Sequence, residues 1–202
     1  MSGSGKIAIL LFAFLFLPET AFSATILIFG DSLSAGYGLP AGKGWVNLLE
    51  KRLSGRFSVV NASISGETTS GGLSRIEEAL ERFSPSIVVL ELGANDGLQG
   101  QPLSITRDNL DAMVRACRKR HARVLLVGMR LPPNYGRKYS GEFAQMYPEI
   151  AKARKIALVP FMMEGFAGNL ADFQPDGRHP SVAAQKMVLD NIWKELGPML
   201  GL

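Results

Sequence analysis

Pro85-Ser86-Ile87-Val88-Val89-Leu90-Glu91-Leu92-Gly93-Ala94-Asn95-Asp96 decides the fold. Ile87 to Leu92 is a short, nearly continuous apolar run rich in β-branched residues. It is opened by Pro85 and closed by Gly93. Such a run predicts a strand covered on both faces, and sheets of that kind are parallel. The residues after Gly93 are polar and compact, so the strand ends in a turn carrying chemical groups.

Outward from this segment, strand and helix signals alternate. Strands are predicted at Thr25–Phe29, Phe57–Asn61, Val124–Met129 and Ala157–Phe161. Trp45, Leu48, Leu49 and Leu53 recur at helical spacing. So do Leu73, Ile76, Leu80 and Phe83 in a helix beginning near Ser70. Further helices are expected over Thr106–Arg120 and around Phe143, Met146, Ile150 and Ala153, where Pro148 should introduce a kink. A last helix carries Leu189, Ile192, Trp193 and Leu196 and is expected to be capped by Ser181. Alternation of this kind predicts an α/β domain with a parallel sheet between two helical layers.

In such sheets ligands bind beyond the carboxyl ends of the strands. The turns there read Gly30-Asp31-Ser32-Leu33-Ser34, Asn61-Ala62-Ser63-Ile64-Ser65-Gly66-Glu67 and Gly93-Ala94-Asn95-Asp96-Gly97. Asp176-Gly177-Arg178-His179-Pro180 precedes the final helix. Taken singly, each reads as a turn or a helix cap. Together they supply the parts for acyl transfer. A serine hydroxyl needs an adjacent base, and a histidine can serve when a carboxylate fixes its tautomer. Donors must also face the developing oxyanion. Ser32, His179 and Asp176 fill the first three roles. The Ser32 and Gly66 backbone amides and the Asn95 side chain fill the last.

The chain has 202 residues, 47% hydrophobic and 20% charged, enough for one conventional domain. Lys6, the apolar run Ile7–Leu17 and the small residues Ala21, Ser23 and Ala24 predict a signal peptide over 1–23, cleaved after Ser23. An uncleaved membrane anchor is the alternative. The domain would then occupy 24–202. One cysteine, Cys117, excludes an intramolecular disulfide and reads as a buried thiol. With two histidines and one cysteine, a clustered zinc site is not expected, and no metal or cofactor is implied. The net charge is +4, and the basic stretch Arg115, Arg118, Lys119, Arg120, Arg123 lacks interleaved aromatics. It reads as a solvated helix end complementing the helix dipole rather than a nucleic-acid surface.

The blocks at Gly30–Leu33, Gly66, Gly93–Asp96 and Asp176–Pro180 resemble those of the SGNH hydrolase (GDSL lipase/esterase) superfamily. Its eponymous Ser, Gly, Asn and His fall on Ser32, Gly66, Asn95 and His179. The stretches Asp31–Gly38, Asn61–Gly66, Asn95–Leu98, Leu131-Pro132-Pro133-Asn134-Tyr135-Gly136 and Pro160–Glu164 are similar to the bacterial multifunctional thioesterase I/protease I/lysophospholipase and arylesterase branch. That resemblance implies a flavodoxin-like three-layer α/β/α sandwich with a five-stranded parallel sheet in the order 2-1-3-4-5. It implies a periplasmic or secreted, monomeric, cofactor-free enzyme with no obligate protein partner. Its substrates would be acyl esters, thioesters and lysophospholipids, with Asp31, Leu33, Leu98, Pro132, Asn134 and Tyr135 as substrate contacts. A mobile loop would lie at 97–102. Two rival readings are an O-acetylesterase acting on polysaccharide or peptidoglycan and a non-catalytic acyl- or lipid-binding module.

Overall fold

The computed structural model describes residues 24–202; the expected signal peptide at 1–23 lies outside the described residues. Five parallel strands form one sheet in the order β2-β1-β3-β4-β5. In chain order the elements are β1 (Thr25–Gly30), α1 (Ser32–Ala35), α2 (Trp45–Leu53), β2 (Ser58–Asn61), α3 (Thr69–Phe83) and β3 (Ile87–Glu91). There follow α4 (Ala94–Leu98), α5 (Leu103–Lys119), β4 (Arg123–Val127), α6 (Arg137–Arg154), β5 (Ala157–Val159) and α7 (Gln185–Met199).

β1 and β3 lie at the centre, and every residue of β3 is buried. α2 packs against α7 along one side of the sheet, while α3, α5 and α6 pack in succession along the other. Trp45, Leu49 and Leu53 from α2, and Met113, Val114 and Cys117 from α5, close the two halves of the core. Cys117 is buried there, and burial pushes its thiol up to about 12. Strand order reverses between β1 and β3, since β1 runs outward to β2 while the chain continues from β3 to the opposite edge. The crevice above that reversal is where a ligand site is expected.

Several element boundaries depart from the sequence expectations, among them the start of α5, at Leu103 rather than Thr106. β4 ends at Val127 and β5 at Val159, although both apolar runs continue further. The chain leaves the sheet because Gly128 and Met162 bond across this gap, Gly128 N–H to Val159 O and Met162 N–H to Gly128 O. The last helix begins at Gln185 rather than from a Ser181 cap. Residues 181–184 form a turn, with Ala184 N–H on Ser181 O, and the Gln185 side chain takes Pro180 O and Ser181 O. α6 continues through Pro148 as one helix. Its buried face, Phe143, Met146, Tyr147 and Ile150, compensates for the donor that the proline removes.

Three residues of the basic stretch have partners. Arg115 meets Asp111, Arg120 lies 3.6 Å from Glu77, and Arg118 donates to Arg154 O. Among the described residues no helix is long and apolar enough to cross a membrane.

Candidate active site

Ser32 opens a helix of only four residues directly after β1. Asp31 makes that turn possible, because its Oδ1 accepts the Leu33 N–H at 3.0 Å and caps the short helix. Gly36 ends it in the left-handed region at φ 78°, with Tyr37 N–H returning to Ser32 O. Gly30 is required for a different reason. A Cβ there would stand 2.6 Å from a Glu91 carboxyl oxygen.

The loop after β2 is drawn onto this turn. Ile64 N–H donates to Gly30 O at 3.0 Å, and the Asn61 side chain donates to Ser34 O at 2.8 Å. From α3, Arg75 holds the loop at two points, donating to Ala62 O and to the Glu67 carboxylate. Its guanidinium lies 3.9 Å from the Phe29 ring centroid. Gly66 sits at φ 81°, a conformation that a side chain would strain. Among the described residues, neither the Ser32 nor the Gly66 backbone N–H has a hydrogen-bond partner.

Asn95 lies in α4, one turn above β3. Its amide nitrogen donates to Glu67 O at 2.8 Å and to Asp31 Oδ2 at 3.2 Å. Beside it, buried Asp96 accepts from the backbone and hydroxyl of Thr69, the first residue of α3. The starts of α3 and α4 are thereby fixed to each other.

His179 arrives on a loop closed by two backbone bonds, Gln174 N–H to His179 O and Ser181 N–H to Asp172 O. Gln174 also donates to Tyr37 O, linking this loop to the nucleophile side. His179 Nε2 stands 2.8 Å from Ser32 Oγ, and its Nδ1 stands 2.6 Å from Asp176 Oδ2. The other Asp176 oxygen accepts the Arg178 and His179 amides. Partial burial pushes the Asp176 carboxyl up, but these bonds outweigh it and bring the group down to about 2. An ionised carboxylate only accepts, so Nδ1 carries the ring proton and Nε2 presents its lone pair to the serine. The Tyr37 ring covers one side of the imidazole at a centroid distance of 4.8 Å.

The residues expected to touch substrate divide into two groups. Leu98 ends α4 and is half-buried, as is Tyr135, whose Oη donates to Leu98 O at 3.0 Å, while Pro132 and Asn134 are exposed. Nearby in the chain, Tyr139 Oη donates to Gln101 O. Asp31 and Leu33 instead turn inward and are 1% and 9% exposed. Asp31 caps α1 and holds Asn95, while Leu33 joins the core.

Sequence reading overlooked Glu91, Arg75, Gln174 and Tyr37. Glu91 alone had a visible signal, as the one carboxylate in an otherwise apolar strand.

A serine, an imidazole and a carboxylate in sequence, on the carboxyl edge of a parallel sheet and beside free backbone donors, form the equipment of a serine-nucleophile hydrolase. Residues 28–187 match the model of the GDSL-like Lipase/Acylhydrolase family, and the chain belongs to that family. It is 46% identical over 191 residues to esterase TesA of Pseudomonas aeruginosa, covering 93% of this chain and 95% of that one. It is 41% identical over 191 residues to thioesterase 1/protease 1/lysophospholipase L1 of Escherichia coli K12, covering 93% and 92%. The psychrotrophic esterase EstA from Pseudoalteromonas sp., solved in a form inhibited by monoethylphosphonate, superposes with a TM-score of 0.83. That match is at 39% identity, over 88% of this chain and 99% of the other.

Proposed function

We propose that this esterase/thioesterase cleaves acyl esters and thioesters through an acyl-enzyme on Ser32. The observation that carries the reading is the continuous relay from Ser32 Oγ to His179 Nε2 at 2.8 Å and from His179 Nδ1 to Asp176 at 2.6 Å.

Ser32 Oγ attacks the acyl carbon as its proton passes to His179 Nε2. The carbonyl electron pair moves onto oxygen, where the Ser32 and Gly66 amides and the Asn95 side chain stabilise it. Both Asn95 amide protons are engaged in the free enzyme, so the longer contact, to Asp31, gives way to the oxyanion. Collapse breaks the bond to the leaving alkoxide or thiolate, which takes the proton from His179. Water then repeats the sequence, with His179 as base, releasing the acid and restoring Ser32.

The walls favour an acyl chain as the group held. Leu98 stands one turn from the oxyanion donor Asn95 in α4, and Tyr135 donates to its carbonyl, so these two side chains support an apolar surface there. Lysophospholipids, acyl-CoA thioesters and aryl esters are the substrate classes proposed. The apolar leader at 1–23 supports export to the periplasm or beyond.

The test is hydrolysis of an acyl-length series of p-nitrophenyl esters beside matched acyl-CoAs, with Ser32→Ala as control. Turnover of chains longer than acetyl in both series, lost in Ser32→Ala, is the expected result. Activity confined to acetyl esters would favour an O-acetylesterase. Unchanged turnover in Ser32→Ala would overturn the acyl-enzyme.

A further inference from the structure

The hydrolytic chemistry leaves one buried carboxyl group without a role. Glu91 ends β3 opposite Gly30 in the register and is 0% exposed. Its Oε2 accepts the Ser34 hydroxyl at 2.6 Å and the Asp31 backbone N–H at 3.3 Å. Its Oε1 is buried and has no hydrogen-bond partner among the described residues. The other four residues of β3 are Ile87, Val88, Val89 and Leu90, so packing alone would be served by another aliphatic side chain. Burying a carboxyl with one oxygen unmatched is costly, which calls for a compensating use.

The partners of Glu91 indicate that use. Asp31 and Ser34 flank the nucleophile in the chain, and α1 is too short to hold its own geometry. Asp31 in turn caps Leu33 and bonds Asn95. One carboxyl group at the floor of the site is therefore connected to the serine turn on both sides and, through Asp31, to the oxyanion donor.

We propose that Glu91 is a positioning residue for hydrolysis, tying the Asp31 amide to the Ser34 hydroxyl so that Ser32 faces His179 and Asn95 faces the acyl oxygen. The proposal rests on the acyl-enzyme reading of Ser32. Burial first, and then the neighbouring Asp31 carboxyl, push the Glu91 carboxyl well above the ordinary range, so it works as a neutral acceptor. Glutamine retains that acceptor and leucine removes it.

The experiment compares Glu91→Gln, Glu91→Leu and Ser34→Ala with the parent on one p-nitrophenyl ester. Reactive sites are counted by phosphonate titration, so that kcat is expressed per functional serine. Misplacement of a reacting group by about an ångström costs up to roughly a hundredfold. Glu91→Leu is therefore expected to lose about tenfold or more in per-site kcat with KM changed by less than about twofold. Glu91→Gln should stay within about threefold of the parent, and Ser34→Ala should fall between the two.

A purely structural role would reduce the number of titratable sites and leave per-site kcat at the parent value. That result in Glu91→Leu overturns the proposal, as does a Glu91→Gln variant as damaged as Glu91→Leu. If Glu91→Leu yields no folded protein, Ser34→Ala decides. A per-site kcat reduced at constant KM supports the tie, and parent-like kcat overturns it. A parent enzyme that does not label at Ser32 would instead fail the acyl-enzyme reading itself.

Discussion

Asp31 and Asp176 serve the same serine from opposite sides, and their surroundings drive them in opposite directions. Asp31 is 1% exposed, and burial, with further repulsion from Asp96 and Glu67, lifts its carboxyl to about 7 despite the Leu33 amide bond. Asp176 lies on a loop with its side chain 36% exposed. Partial burial raises its carboxyl, but three hydrogen bonds prevail and hold it at about 2. The nucleophile side of the site is thus an acidic, dry floor built into the sheet. The base side is a solvent-facing loop whose carboxylate stays ionised at any ordinary pH. A carboxylate that must support a developing imidazolium needs its charge, whereas one that caps a helix and holds an amide needs only its oxygens.

That contrast breaks first at Asp176. Asparagine there presents an amide donor to His179 Nδ1 and reverses the tautomer, so Asp176→Asn should lower kcat by about 10³–10⁴-fold, measured on a p-nitrophenyl ester. A loss no larger than that of Asp31→Asn would remove the distinction between the two sides. Asn95→Ala comes next. It should lower kcat by about 10²–10³-fold while KM stays nearly constant, because its donor acts on charge that develops in the transition state.

Asp31→Asn sharpens the comparison with two readouts. The new amide faces the Asn95 amide donor for donor, and kcat should fall by about 10–100-fold. Stability should move the other way as pH rises. The folded carboxyl titrates near 7 and the unfolded one near 3.8, so between these values the folded state retains a proton that the unfolded state has released. Parent stability therefore declines from about pH 4 to about pH 7, and asparagine abolishes that decline. Urea unfolding should show the variant gaining roughly 2–4 kcal/mol on the parent across the window. Asp176 has the opposite sign. Its contribution is present above the unfolded value and is lost only as pH falls toward about 2.

The smallest effect is expected at Arg75. Arg75→Met frees both ends of the Gly66 loop without touching a reacting atom, and a loss of about three- to tenfold in kcat is expected. Equal losses in kcat and in titratable sites would place Arg75 in folding rather than in loop geometry.

The asymmetry between the two sides also explains what could be read from the chain. β3 was plain because Ile87–Leu90 is buried on both faces, and the turns after each strand exposed Ser32, Gly66 and Asn95 as a set. Asp176 and His179 are separated by three positions, so their pairing is nearly local. The floor of the site was not legible. Glu91 reaches Ser34 across 57 positions and Asp31 across 60, and no periodicity encodes those contacts. The inward turn of Asp31 is hidden for the same reason, since adjacency to Ser32 does not reveal which way a side chain turns. Ser181 reads as a helix cap, but the helix starts at Gln185, three residues later than such a cap would give, and the Gln185 side chain donates to Pro180 O and Ser181 O.

The most direct measurement of the acyl-enzyme account is mass mapping after treatment with an ethyl phosphonate carrying a p-nitrophenyl leaving group, with residual activity followed in parallel. The account predicts one adduct per chain, on the peptide containing Ser32, formed in step with loss of ester hydrolysis and absent from Ser32→Ala. An adduct on any other residue, or full activity remaining after Ser32 is labelled, would contradict it.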